Sequence, residues 1–197
     1  MRSDSDLLGQ LKEAARDLLL SGGSLRYASM ERLARCLRIS KKTIYQQVRS
    51  KEQLLAALLA DHLAQARALC EQVKQAPNAD AGLEKLISWL PAQFTPVALA
   101  LQAQVRARFP DLWEPFGEAY YQQLQQALAD CLHRGMAEGV FRPGLDVEVL
   151  VRLLLGQLGL LAGGQVLPAA RYDAGHVCRQ LIQHFRCGIE RRPSSVH

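Results

Sequence analysis

Apolar residues recur at three- and four-residue spacing along most of the chain, the period of one face of an α-helix. Leu7, Leu11, Ala14 and Leu18 form one stripe, with Leu8, Ala15 and Leu19 beside it, and predict a helix over about 5–20 that Gly22-Gly23 end. Met30, Leu33, Ala34 and Leu37 predict a second helix. A short third one over 41–47 places Ile44, with Val48 four positions on, inward. Leu55, Leu59 (or Leu58), His62, Ala66, Leu69 and Val73 mark the inner line of a long fourth helix, 51 to about 75, closed by Pro77-Asn78. Further helices are expected over about 80–90, 96–108, 110–133, 146–163 and 173–190, with Pro96 and Pro110 at first-turn positions. The pattern predicts an all-α protein of about nine helices.

The stretch from Ser29 to Leu54 carries the most specific local chemistry. Ser29 can cap the second helix, because its hydroxyl accepts from backbone N–H groups unpaired at a helix start. Arg38, Ile39 and Ser40 occupy a turn, and Ser40 can cap the third helix. Ser50 and Gln53 form a capping box that opens the fourth. Two short helices and a tight turn are the layout of a helix-turn-helix, whose second helix enters the DNA major groove. Lys41, Lys42, Thr43, Tyr45, Gln46 and Gln47 fall on the outside of that second helix. Lysines attract phosphate, hydroxyls bond its oxygens, and Gln or Lys can reach base edges. Lys51, in the first turn of the next helix, is expected to favour a phosphate there as well.

Charge sharpens this reading. Residues 1–52 carry eleven Lys/Arg against six Asp/Glu, and the remainder thirteen against thirteen, so the whole net charge of +5 lies in the segment with the helix-turn-helix. A basic module on a neutral body is the footprint of phosphate binding.

At these residues the chain resembles the TetR family of transcriptional regulators. The resemblance rests on Leu33-Ala34, Ser40, Thr43-Ile44-Tyr45 and Ser50-Lys51-Glu52-Gln53-Leu54 at fixed spacing. Arg38 stands where the family usually has Gly, at a cost of roughly 1 kcal/mol if the turn is left-handed. Gln47 and Val48 stand where His and Phe are usual. A second, weaker likeness is Gly139, Phe141, Arg142 and Asp146 ahead of the eighth helix. The resemblance implies a three-helix DNA-binding head over 1–50, a ligand-binding and dimerisation body over 51–190, and a disordered tail over 191–197. DNA contacts are assigned to Ser29, Ser40, Lys41, Lys42, Thr43, Tyr45, Gln46, Gln47 and Lys51. The long fourth helix would begin in the head and extend into the body, as a lever between them.

The eighth helix is apolar nearly all round, with Leu150, Leu153, Leu154, Leu158 and Leu161 among its residues. Such a helix must be buried on all faces, and a domain of this size covers only one of them. We therefore expect the last two helices to pair with their copies across a two-fold axis, through Leu150, Leu154, Leu158, Leu161, Cys178, Leu181, Ile182 and Phe185. The family's body holds a small molecule between its helices. Here Trp89, Phe94, Phe109, Trp113, Phe116 and Tyr120 are candidate pocket walls, with Arg106 and Gln157 as polar handles.

Five cysteines, Cys36, Cys70, Cys131, Cys178 and Cys187, form no CxxC, and no His lies at metal-ligand spacing. They read as mostly buried thiols of a reducing cytoplasm. The uncharged run 153–170 has the lower-limit length of a membrane span, but its Gly, Gln and Pro content reads as a buried helix. No nucleophile elbow, phosphate loop or paired-carboxylate motif suggests an enzyme, and no cofactor is expected. The reading is a homodimeric repressor on a palindromic operator in double-stranded DNA, released by a small hydrophobic effector. The alternatives are a regulator under a protein partner's control, or an activator.

Overall fold

The computed structural model describes residues 4–162 and 171–191. Among them are nine α-helices: α1 (Asp4–Gly22), α2 (Met30–Leu37), α3 (Lys41–Gln47), α4 (Lys51–Lys74), α5 (Ala79–Trp89), α6 (Pro96–Arg108), α7 (Pro110–Ala137), α8 (Val147–Ala162) and α9 (Ala174–Ile189). A short 3-10 turn, Leu90–Phe94, follows α5, where Pro91 stops the α-helical hydrogen bonding. The all-α expectation holds, and the described residues contain no strand, only an isolated bridge between Phe141 and Glu190. No described helix is long and apolar enough to cross a membrane. Of the expected tail over 191–197 all but Arg191, and of the apolar run residues 163–170, lie outside the described residues.

The helices gather into two compact units. The first holds α1 to α3, α4 up to Ala64, α6 from Val97 and α7 up to Gly117. The second holds α4 from Gln65, α5, the 3-10 turn, α7 from Glu118, and α8 and α9. This division differs from the boundary expected at residue 50. Its cause is packing: Val105 joins the buried cluster of the first unit, and Leu101, Phe109, Leu112 and Trp113 lie against it. Leu11, Ala15 and Leu19 of α1, Leu33 of α2, Ile44 of α3 and Leu54 of α4 form the centre of that cluster. These are the positions the helical stripes place inward.

In the second unit, Asn78 caps α5 and Asp173 caps α9, each accepting a backbone N–H three residues on. Asp146 does the same for Val149 at the start of α8, at 3.1 Å. Arg186 of α9 ties that helix to α5, with Nη2 donating to Asp80 at 2.8 Å, Nη1 to Glu84, and Nε to Glu190 at 2.8 Å. Glu190 first, then Glu84 and Asp80, hold the guanidinium pKa above its ordinary value. Cys70, Cys131 and Cys178 are buried here, and burial pushes the Cys131 and Cys178 thiols up to about 11. Cys36 and Cys187 are exposed, against the expectation of a mostly buried set only for these two.

α8 corrects the expected dimer surface. Leu154, Leu158, Leu161, Cys178 and Ile182 are buried within the single chain, and Leu150, Leu181 and Phe185 are half-buried. The five buried residues belong to the chain's own core, while the three half-buried ones keep part of their surface outside. The apolar residues that α8 leaves outside are Val149, Leu153 and Leu160. The polar Glu148, Arg152 and Gln157 are exposed as well.

Candidate nucleic-acid interface

The geometry of α2 and α3 follows from two serine caps and one turn. Ser29 Oγ accepts the Arg32 N–H at 3.2 Å, and Ser40 Oγ accepts the Thr43 N–H at 3.0 Å. Between the helices Arg38 adopts φ 53° and ψ 43°, the left-handed region. The Ile39 N–H then reaches the Ala34 carbonyl at 3.0 Å, closing the end of α2. The turn thus demands the conformation that glycine adopts without strain, and Arg38 adopts it at a cost of about 1 kcal/mol.

α3 is held by its inner side. Ile44 is fully buried and Val48 nearly so, in the core with Leu33 and Leu11. The opposite side presents Lys41, Lys42, Tyr45 and Gln46 to solvent, with Thr43 and Gln47 half-buried. Tyr45 is 50 % exposed. Ser40 and Thr43 hydroxyls lie 2.8 Å apart. That bond consumes one of their two protons and leaves the other for an outside acceptor. Lys41 Nζ lies 3.5 Å from Glu31 of α2, an exposed pair of small energetic weight.

Lys51 makes a bond within its own unit. Its ammonium donates to the Leu25 carbonyl within the same unit, and the side chain is half-buried. Burial first, and Arg108 second, lower its pKa. It serves as an internal tie between α4 and the α1–α2 loop. Its sequence position showed the first turn of a helix, but not the side to which a four-carbon stem would turn. The capping box beside it forms as expected: Ser50 Oγ accepts the Gln53 N–H at 3.1 Å, and Gln53 Oε1 the Arg49 N–H at 2.6 Å.

The expected pocket residues fall in both units. Phe109 and Trp113 pack against the core of the first unit, and Trp113 meets Phe116 with ring centroids 5.5 Å apart. Trp89 and Tyr120 lie together in the second unit at 6.1 Å, and Phe94 is buried there. Burial raises the Tyr120 pKa. Arg106 and Gln157 are exposed, so neither is a handle inside a cavity. A polar residue in an apolar helix is as well placed on its outer face as in its interior, and spacing does not distinguish the two.

A capped helix pair presenting a basic, hydroxyl-bearing third helix, joined to a helical body, is the fold of TetR-type regulators, and solved structures match it over nearly the whole chain. A TetR transcription regulator from Haloarcula marismortui superimposes with a TM-score of 0.75 at 19 % identity, covering 95 % of this chain and 100 % of that one. The fatty acid degradation regulator FadR from Bacillus halodurans gives 0.66 at 20 % identity, over 94 % and 97 %. The ketosteroid transcriptional regulator KstR2 of Mycobacterium tuberculosis gives 0.61 at 21 % identity, over 94 % and 95 %. No protein-family model matches the chain, and no curated protein does.

Proposed function

We propose that the chain is a TetR-family, sequence-specific DNA-binding transcriptional regulator and no enzyme, acting as a homodimer on a palindromic operator. The observation that carries this reading is α3. It is fastened from below by Ile44 and Val48, and exposes Lys42, Tyr45 and Gln46 together. Lysine and hydroxyl groups bind phosphate, while Gln and Lys read base edges in the major groove. Two such helices on a two-fold axis would address half-sites about 34–36 Å apart, or a larger multiple of the DNA turn. The exposed Val149, Leu153 and Leu160 of α8 supply the apolar face for the second copy.

Release by a small apolar effector is the control that fits best. Two of the neighbours are named for fatty acid degradation and for ketosteroid, both apolar chemistries, and Trp89 with Tyr120 offers aromatic surface in the second unit. An effector that binds better when the two heads are wrongly spaced drains the DNA-competent population. Repression then follows from occupancy of the operator, and induction from its loss.

Selection of bound duplexes from random DNA tests the reading. An inverted repeat should be enriched and should bind the full-length chain as one dimer per site. Enrichment of no sequence at low salt would overturn it.

A further inference from the structure

The loop between α1 and α2 is gripped by one side chain of α6. Gln104 Oε1 accepts the Leu25 N–H at 2.9 Å and the Ser24 hydroxyl at 3.1 Å. Gln104 Nε2 donates to the Gly23 carbonyl at 3.0 Å and to the Ala100 carbonyl at 3.1 Å. A carboxamide has two N–H donors and two acceptor lone pairs, so every hydrogen-bonding position of this one is used.

The loop is prepared for that grip. Gly23 has φ +60°, a conformation that a side chain would strain, and the Tyr27 ring lies where a Cβ at Gly22 would sit. Leu25 is buried in the core of the first unit, and its carbonyl takes the Lys51 ammonium. Four residues later comes Ser29, the cap of α2. α4 and α6 thus hold the same three-residue segment from which the helix pair departs.

We infer that Gln104 is a positioning residue, which sets the aim of α2 and α3 without touching DNA. Leu101 and Val105 beside it provide adhesion to the same core. Apolar contact is non-directional and tolerates sliding. Hydrogen bonds to successive backbone groups are directional and fix register. This inference rests on the proposed regulator reading, because aim matters only if two heads must meet two half-sites at one spacing.

The test uses full-length protein and a duplex obtained by selection from random DNA, with a second duplex carrying one extra base pair between the half-sites. Gln104→Ala should bind the selected duplex about tenfold more weakly. The slope of affinity against salt should be unchanged, because the same phosphates are contacted. The extra base pair should weaken Gln104→Ala less than wild type, since a loosened head accepts other spacings. Exchange of the Leu25 amide hydrogen should accelerate. Gln104→Glu keeps both acceptor roles but loses both donors, and should fall between the two. Ser24→Ala removes the hydroxyl's bond to Gln104 together with its acceptance of the Arg26 N–H, leaves the other three Gln104 bonds in place, and keeps the test open if Gln104→Ala fails to fold; it should shift spacing tolerance in the same direction. Equal loss on both duplexes would reduce Gln104 to a fold-stabilising residue and overturn the inference, as would unchanged Leu25 exchange. If wild type binds no selected duplex, the regulator reading falls by itself, and the positioning role falls with it.

Discussion

Leu153 and Leu154 are adjacent in the chain and face opposite ways: Leu153 is 56 % exposed and Leu154 is 3 % exposed. One helix therefore carries two apolar faces with separate jobs. The inner face holds the second unit together. The outer one, with Val149 and Leu160, is the face assigned to a second copy.

Substitution separates these jobs. Leu154→Ala should lower unfolding free energy by about 2–5 kcal/mol, measured by urea titration. Leu153→Glu should leave secondary structure intact and convert dimer to monomer in sedimentation experiments, because it places a charge in an apolar contact. A Leu153→Glu protein that sediments as wild type would remove this face from the interface.

On α3, Lys42→Ala should weaken operator binding and reduce the slope of log affinity against log salt by about 1, the signature of one lost phosphate contact. Tyr45→Phe should weaken binding by a few-fold through loss of one hydroxyl. Neither change should alter dimer stability, since both side chains are exposed. Gel-shift titrations at several salt concentrations check both expectations.

Arg38 invites a stabilising change. Arg38→Gly should raise unfolding free energy by up to about 0.5 kcal/mol, because glycine relieves the left-handed strain of about 1 kcal/mol while the more flexible unfolded chain offsets much of the gain. Arg38→Ala retains the strain and should give no rise. Thermal midpoints of the three proteins decide the matter.

His62 gives stability a pH dependence. It is half-buried, with its ring centroid 5.9 Å from that of Phe116. Burial first, and the charge of Arg16 second, lower its pKa from the ordinary 6.5. The unfolded chain therefore binds this proton more readily than the folded one. Its favourable contribution is complete above the unfolded value and is lost as pH falls below about 6.5. Unfolding midpoints should decline on acidification through that range, and His62→Gln should flatten the decline. An equal slope in the variant would assign the effect to other groups.

The sequence by itself determined the helices, their caps and the chemistry of α3. These are local properties: the 3.6-residue period, the serine hydroxyls at Ser29, Ser40 and Ser50, and prolines at helix starts all act over a few residues. The turn at Arg38 was legible as a place where one helix ends and another begins within a few positions, but its left-handed conformation was left open until the structure fixed it. The tertiary structure decided what each long side chain does and which face of each helix is shared. Lys51 turned inward to Leu25, Arg106 and Gln157 turned out to solvent, and Gln104 closed on a loop 79 to 81 residues away in the chain. α8 was apolar enough to be buried on either side, and only packing against its own chain selected Leu154 over Leu153. Periodicity states that a face exists, but the direction of a flexible side chain is set by distant partners that no local pattern contains.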